Sequence, residues 1–238
     1  FKKRKMNILT NTKVDKVEKL KNKVKVHLQE GGIVEAEKVL IAVGVQGNIE
    51  NLGLNECNVA INDGWIQTNE FMETSENSVY AIGDVAGPPW LAHKASAEGI
   101  TAVENLAGLA PEPMQYNNIP GCTYCHPEVA SVGLTEKMAT EKGYNIKIGK
   151  FPFRGLGKSM AVGDIDGFVK VIYDSKYGEM LGCHIIGAEA TNLITEAVIA
   201  RNLETTYQEV LKTIHPHPTL SEAIMEATAD AYGEAIHI

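Results

Sequence analysis

The sequence predicts an α/β portion followed by an α+β domain whose antiparallel sheet is flanked by helices, and three observations carry that expectation. Short runs of alternating apolar and polar residues fill the stretch from 6 to 43. Pro111-Glu112-Pro113 and the polar residues from Gln115 to Asn118 mark the clearest boundary in the chain. Beyond that boundary extended segments come first and helical patterns after, the order of an α+β unit of roughly 125 residues.

Taken in order, Asn7-Ile8-Leu9, Lys13 to Glu18, Val24 to Leu28 and Lys38 to Val43 read as strands of a β-meander. Gly31-Gly32 supplies one of its turns, and its last strand is apolar enough to be buried. Gly64 to Thr68 reads as a short strand, and Asn77 to Asp84 as a second buried strand ending in Gly83-Asp84. From Leu91 to Ala107 the spacing of Ala95, Ile100, Val103 and Leu106 predicts a helix, stopped by Gly108 and Pro111. In the second half an extended segment runs to Gly133, then a short helix near Thr135 to Lys142 and a strand from Tyr144 to Phe151. Phe168 to Tyr173 and Met180 to Ile186 form a hairpin about Ser175 to Gly178. Helices follow at Ala190 to Asn202 and Tyr207 to Lys212, and a last one runs to about Tyr232.

The composition bounds the function classes. With 238 residues, 44% apolar and 22% charged, the chain can bury a substantial core. Its net charge of −8 lacks the basic excess that a nucleic-acid surface needs. The basic start Lys2-Lys3-Arg4-Lys5 is followed by no apolar targeting core, and no run is long and apolar enough to span a membrane. Four cysteines are too few for a disulfide-stapled scaffold of this size, so a reducing compartment is expected. Cys122 and Cys125 have the spacing of a redox pair, yet the residues after them read as extended rather than as the helix that would stabilise a thiolate. Metal-ligand spacing is absent, and no metal is expected.

Chemistry concentrates in His215-Pro216-His217-Pro218-Thr219-Leu220-Ser221-Glu222. The prolines keep both histidines out of helix interiors, while Thr219 and Glu222 have the spacing of a capping box at the start of the last helix. An imidazole beside that first-turn carboxylate would be an acid/base dyad, because the carboxylate selects the tautomer and leaves the far ring nitrogen to move a proton. The plainer alternative is a cap and a turn histidine. A weaker candidate is Gly83-Asp84 at a strand end, where glycine admits a ligand and the carboxylate accepts hydrogen bonds from ribose-like hydroxyls, with a helix N-terminus following near Leu91. No G-x-G-x-x-G preceded by a strand occurs in the chain.

Ala42-Val43-Gly44, Val79-Tyr80-Ala81-Ile82-Gly83-Asp84, Leu91-Ala92-His93-Lys94-Ala95, His126-Pro127-Glu128-Val129-Ala130-Ser131-Val132-Gly133 and the His215 to Glu222 run stand in an order that resembles the C-terminal half of the dihydrolipoamide dehydrogenase family. These enzymes are flavoprotein disulfide reductases. The resemblance covers essentially the whole chain. It implies that residues 1–47 are the C-terminal part of an NAD-binding domain, 48–112 the C-terminal part of an FAD-binding domain, and 113–238 a dimerisation domain. It further implies that Gly44 touches NAD, that Asp84 holds the ribityl or diphosphate region of FAD, and that Trp90, Leu91, Ala92 and His93 lie along the flavin. His217 would be the acid/base and Glu222 its orienter, reaching the flavin and disulfide of the other subunit of a homodimer.

The implied reaction is oxidation of dihydrolipoamide on the lipoyl domains of 2-oxo-acid dehydrogenase complexes, with FAD and NAD as cofactors, in a bacterial cytoplasm or a mitochondrial matrix. A glutathione-reductase-like enzyme and a non-catalytic dimerisation module are the alternatives. Departures from the family pattern are plain. The redox cysteine pair and both glycine fingerprints are not in these residues, so the chain alone is expected to be inactive and without bound FAD. Val45-Gln46-Gly47 replaces a basic-then-proline turn, and Pro88-Pro89-Trp90 is one residue longer than the family form.

Overall fold

The computed structural model describes residues 1–237. It divides into two compact units, Phe1–Asn48 and the chain from Ile49 onward. The first holds a three-stranded antiparallel sheet of β1 (Val14–Lys19), β2 (Val24–Leu28) and β3 (Ile33–Ala36), with β2 in the middle. Gly31 and Gly32, both at positive φ, make the β2–β3 turn where the sequence places it.

Two expected strands of this unit are not formed. Asn7 to Leu9 is exposed coil, and Lys38 to Val43 lies open, with Leu40 and Val43 each at least 90% exposed. An apolar β-branched run becomes a strand only when a neighbour accepts and donates its backbone hydrogen bonds, and among the described residues none pairs with this one.

The second unit begins with a small hairpin of β4 (Ile61–Asn62) and β5 (Trp65–Ile66). The buried strand expected from Asn77 to Asp84 does not form. Only a single bridge, Tyr80 to Glu73, forms there. Val79 and Ala81 pack with Val59 and Ile66, Ile82 is exposed, and Gly83 at φ +76° bends the chain into a 3-10 turn over Gly83–Ala86.

Helix α1 (Ala92–Leu106) forms as expected but turns the other way. Ile100, Val103 and Leu106 point outward, while Lys94, Glu98, Thr101 and Ala102 are its buried residues. Backbone groups of the 3-10 turn satisfy the buried charges, so a polar face could be the one that docks.

The remaining elements are β6 (Gly121–Thr123), β7 (Glu128–Gly133), α2 (Glu136–Glu141), β8 (Ile146–Pro152), α3 (Gly157–Val162), β9 (Phe168–Asp174), β10 (Met180–Gly187), α4 (Ala190–Asn202), α5 (Tyr207–Lys212) and α6 (Glu222–Tyr232). The five strands form one antiparallel sheet in the order β6-β7-β10-β9-β8, with helices packed against it. This is the α+β arrangement that the sequence predicts, including the β9–β10 hairpin. Helix α3, between glycines and without apolar periodicity, was not anticipated.

The main core joins Val169, Val171, Tyr173 and Ile185 of the sheet to Ile194 and Ala197 of α4 and Ile224 and Ala227 of α6. Alternate residues of the strands supply one side of it, and burying each such aliphatic side chain stabilises by roughly 1.5–3 kcal/mol. Gly149 brings α6 against β8 almost backbone to backbone, since a Cβ placed there would lie 1.7 Å from the Ala227 carbonyl oxygen. The Lys150 N–H donates to Asp230 at 2.8 Å across the same contact. Together they fix where α6, and therefore Glu222, sits on the sheet.

Candidate functional site

His217 lies in the loop between α5 and α6, and its Nδ1 is 2.9 Å from Glu222 Oε1. Its side chain is 73% exposed, whereas that of Glu222 is 14% exposed. The other carboxylate oxygen accepts the Thr219 N–H at 2.8 Å. Burial works against the charge on Glu222, but the Thr219 N–H and the His217 ring together hold its carboxyl below the usual range. An ionised carboxylate only accepts, so Nδ1 carries the proton and Nε2 is left as the basic nitrogen on the exposed side. The two residues proposed from sequence as a dyad are thus in contact.

The capping box between Thr219 and Glu222 forms only in part. Glu222 accepts from the Thr219 backbone, as a box requires, but the Thr219 hydroxyl donates to the Pro216 carbonyl at 2.7 Å instead of capping the helix. Ser221 occupies the N-cap with helical backbone angles and no side-chain cap.

His215, the other histidine of the run, is tied to a residue that sequence reasoning missed. Its Nε2 lies 2.8 Å from Glu196 of α4 and its Nδ1 2.9 Å from the Thr213 carbonyl. A carbonyl only accepts, so Nδ1–H is the donor there. The hydrogen bond to Glu196 raises the His215 pKa against the opposing effect of burial. The pair spans 19 positions, and no local spacing announces it.

The second candidate group surrounds the 3-10 turn. Gly83 and Gly87 both have positive φ, and Asp84 between them is exposed. Trp90 packs against Trp65 with ring centroids 5.4 Å apart. Leu91 is the N-cap of α1 with extended backbone, and no side chain caps the first turn that Ala92 and His93 begin. The His93 Nε2 donates to the Pro120 carbonyl at 2.9 Å. An exposed carboxylate, uncapped helix amides and two positive-φ glycines suit a ligand bearing hydroxyl and phosphate groups. The structure thus gathers Asp84 and Trp90 to His93 in one stretch and His217 with Glu222 in another. Gly44, exposed at φ +115°, belongs to the first unit.

Cys122 sits in β6 and both it and Cys125 are free thiols, with no helix opening between them. Burial raises the Cys122 pKa, the reverse of an activated thiol. Among the described residues no group of three His, Cys, Asp or Glu is placed to hold a metal ion, and no helix is long and apolar enough to cross a membrane.

Residues 1–99 match a family model described as pyridine nucleotide-disulphide oxidoreductase, and residues 119–228 match the dimerisation domain of the same family. The chain is 49% identical to the dihydrolipoyl dehydrogenase of Rhizobium etli over 99% of its own length and 50% of that protein's. It is 46% identical to the dihydrolipoyl dehydrogenase of Bacillus subtilis over 100% of its length and 51% of the relative's. Among solved structures, LpdA from Mycobacterium tuberculosis shares the fold with a TM-score of 0.86 at 24% identity, over 96% of this chain and 50% of LpdA. The flavoprotein disulfide reductase RclA from Escherichia coli shares it with a TM-score of 0.80 at 22% identity, over 92% of this chain and 51% of RclA. The chain spans about half the length of the curated relatives it matches, and it belongs to the pyridine nucleotide-disulphide oxidoreductase family.

Proposed function

We propose that this chain supplies the acid/base dyad and part of the flavin site of a dihydrolipoyl dehydrogenase. The single observation that carries this reading is the 2.9 Å contact of His217 Nδ1 with Glu222, which leaves Nε2 exposed and basic. In the oxidative direction Nε2 takes a proton from a thiol of dihydrolipoamide, and the resulting thiolate attacks a disulfide. The disulfide and the glycine fingerprints come from residues outside this sequence. Glu222 stabilises the imidazolium while the proton is held.

Bound FAD and NAD supply the two-electron redox chemistry, so that dihydrolipoamide and NAD⁺ give lipoamide, NADH and a proton. Asp84 would hold the ribityl or diphosphate region, Trp90, Leu91, Ala92 and His93 would line the flavin, and Gly44 would meet NAD. Residues 1–47, 48–112 and 113–238 would then be the NAD, FAD and dimerisation portions. The assembly would be a homodimer acting on lipoyl domains, in a bacterial cytoplasm or a mitochondrial matrix.

The test is turnover of the full-length enzyme. His217→Gln should lower kcat by at least about 100-fold while flavin content and dimer mass stay as in the parent. Unchanged turnover would point to a non-catalytic dimerisation module. Preference of the parent for glutathione disulfide over lipoamide substrates would move the assignment to another branch of the family.

A further inference from the structure

Lys94 and Glu98 stand one turn apart on α1, their side chains 1% and 0% exposed. The lysine ammonium has three protons to donate and three acceptors around it: the Gly83 carbonyl at 3.1 Å, the Gly87 carbonyl at 2.8 Å and Glu98 Oε1 at 3.1 Å. Glu98 is equally committed. Its Oε2 accepts the Gly83 N–H at 2.7 Å, and its Oε1 also accepts the Tyr116 hydroxyl at 2.7 Å. Gly83 is therefore held by both its N–H and its C=O, Gly87 by its C=O, and the exposed Asp84 lies between the two.

Two facts make this more than a satisfied buried pair. Gly83 and Gly87 sit at φ +76° and +103°, conformations that glycine adopts freely and therefore does not select by itself. Well-packed apolar residues often replace a buried ion pair without loss of stability, so stability alone is a weak reason for two charges here. What apolar residues could not do is bond both ends of one turn.

We propose that Lys94 and Glu98 are positioning residues that lock the Gly83–Gly87 turn in the shape that receives the ribityl and diphosphate region of FAD. Tyr116, in the 3-10 turn that precedes β6, anchors the outer side of the clamp. This rests on the assignment of Asp84 to FAD made above.

The experiment measures FAD affinity by flavin fluorescence in the full-length enzyme. The variants are Lys94→Met, the double variant K94M/E98Q and Asp84→Ala, and the melting temperature of each apo form is recorded. The double variant leaves neither charge buried alone, so it keeps the fold testable. The expected result is at least a tenfold rise in the FAD Kd and an altered flavin absorption spectrum for K94M/E98Q, with an apo melting temperature close to that of the parent. A wild-type Kd in the double variant, with Asp84→Ala weakened, overturns the clamp and leaves the FAD assignment standing. A wild-type Kd in Asp84→Ala overturns the assignment itself. A loss of affinity matched by a fall in apo melting temperature, with an unaltered flavin spectrum, makes the pair merely structural and also overturns the proposal.

Discussion

The backbone N–H of Thr219 reaches Glu222 at 2.8 Å, and that one contact turns the carboxylate so that its other oxygen faces His217. The Thr219 side chain has no part in it. Thr219→Ala should therefore leave turnover of the full-length enzyme within about twofold and cost about 1 kcal/mol of stability from the lost bond to Pro216. Glu222→Asp, one methylene shorter, cannot reach both the N–H and the ring, and should lower kcat by at least tenfold. Steady-state kinetics on the two variants separates them. Equal turnover would mean that Glu222 does not orient the histidine.

Stability should depend on pH through His215 in a defined direction. Its folded pKa is raised above 6.5, chiefly by the hydrogen bond to Glu196, so its contribution is fully present below pH 6.5 and is lost as pH rises through the folded value. Glu222 works the other way. Its folded pKa is lowered from 4.5, so its contribution is present above pH 4.5 and disappears as pH falls through the folded value. Urea titrations from pH 4 to 9 should show the gap between the parent and His215→Gln wider below pH 6.5 and narrowing as pH rises through the raised folded value. A gap independent of pH would contradict the Glu196 pairing.

Gly149→Ala tests the docking of α6. The added methyl would have to occupy space 1.7 Å from the Ala227 carbonyl oxygen and 2.6 Å from the Ala231 nitrogen, so the helix must move off β8. A loss of about 1–3 kcal/mol or more is expected, seen as a lower melting temperature, together with reduced turnover because Glu222 rides on the same helix.

The thiols should differ sharply in reactivity. Cys57 and Cys125 are exposed, whereas Cys183 is buried and its pKa is pushed up to about 12 by desolvation. Brief iodoacetamide treatment at pH 8 should alkylate Cys57 and Cys125 and spare Cys183, read by peptide mass spectrometry. Early labelling of Cys183 would mean that the core opens locally.

Much of the α+β domain was legible because its signals are local. The β9–β10 hairpin declares itself by two β-rich runs about a turn, and α6 by the apolar, alanine-rich run that follows the proline segment. Lys38 to Val43 and Asn77 to Asp84 carry the same apolar signature, yet neither forms a full strand, because pairing depends on a neighbour that the run cannot specify. Lys94 and Glu98 have the i,i+4 spacing of pairs that are commonly solvated, and their burial follows from a turn seven to fifteen residues upstream. His217 with Glu222 was visible because proline and helix start lie within one loop. His215 with Glu196 was not, since its partner comes from another helix.

The strand order also sets an order of assembly. Strands β8, β9 and β10 pair as sequence neighbours, whereas β7 must cross from Gly133 to Gly182 to find its place. Short loops close at less entropic cost than long ones, so the β8-β9-β10 meander is the part favoured to form early, with β7 added afterwards. Helix α6 needs β8 and β9 already in place before Gly149 can receive it. The His217–Glu222 pair is then a late product of folding, and a kinetic probe at Ile172 in β9 should report structure in the transition state ahead of one at Val132 in β7.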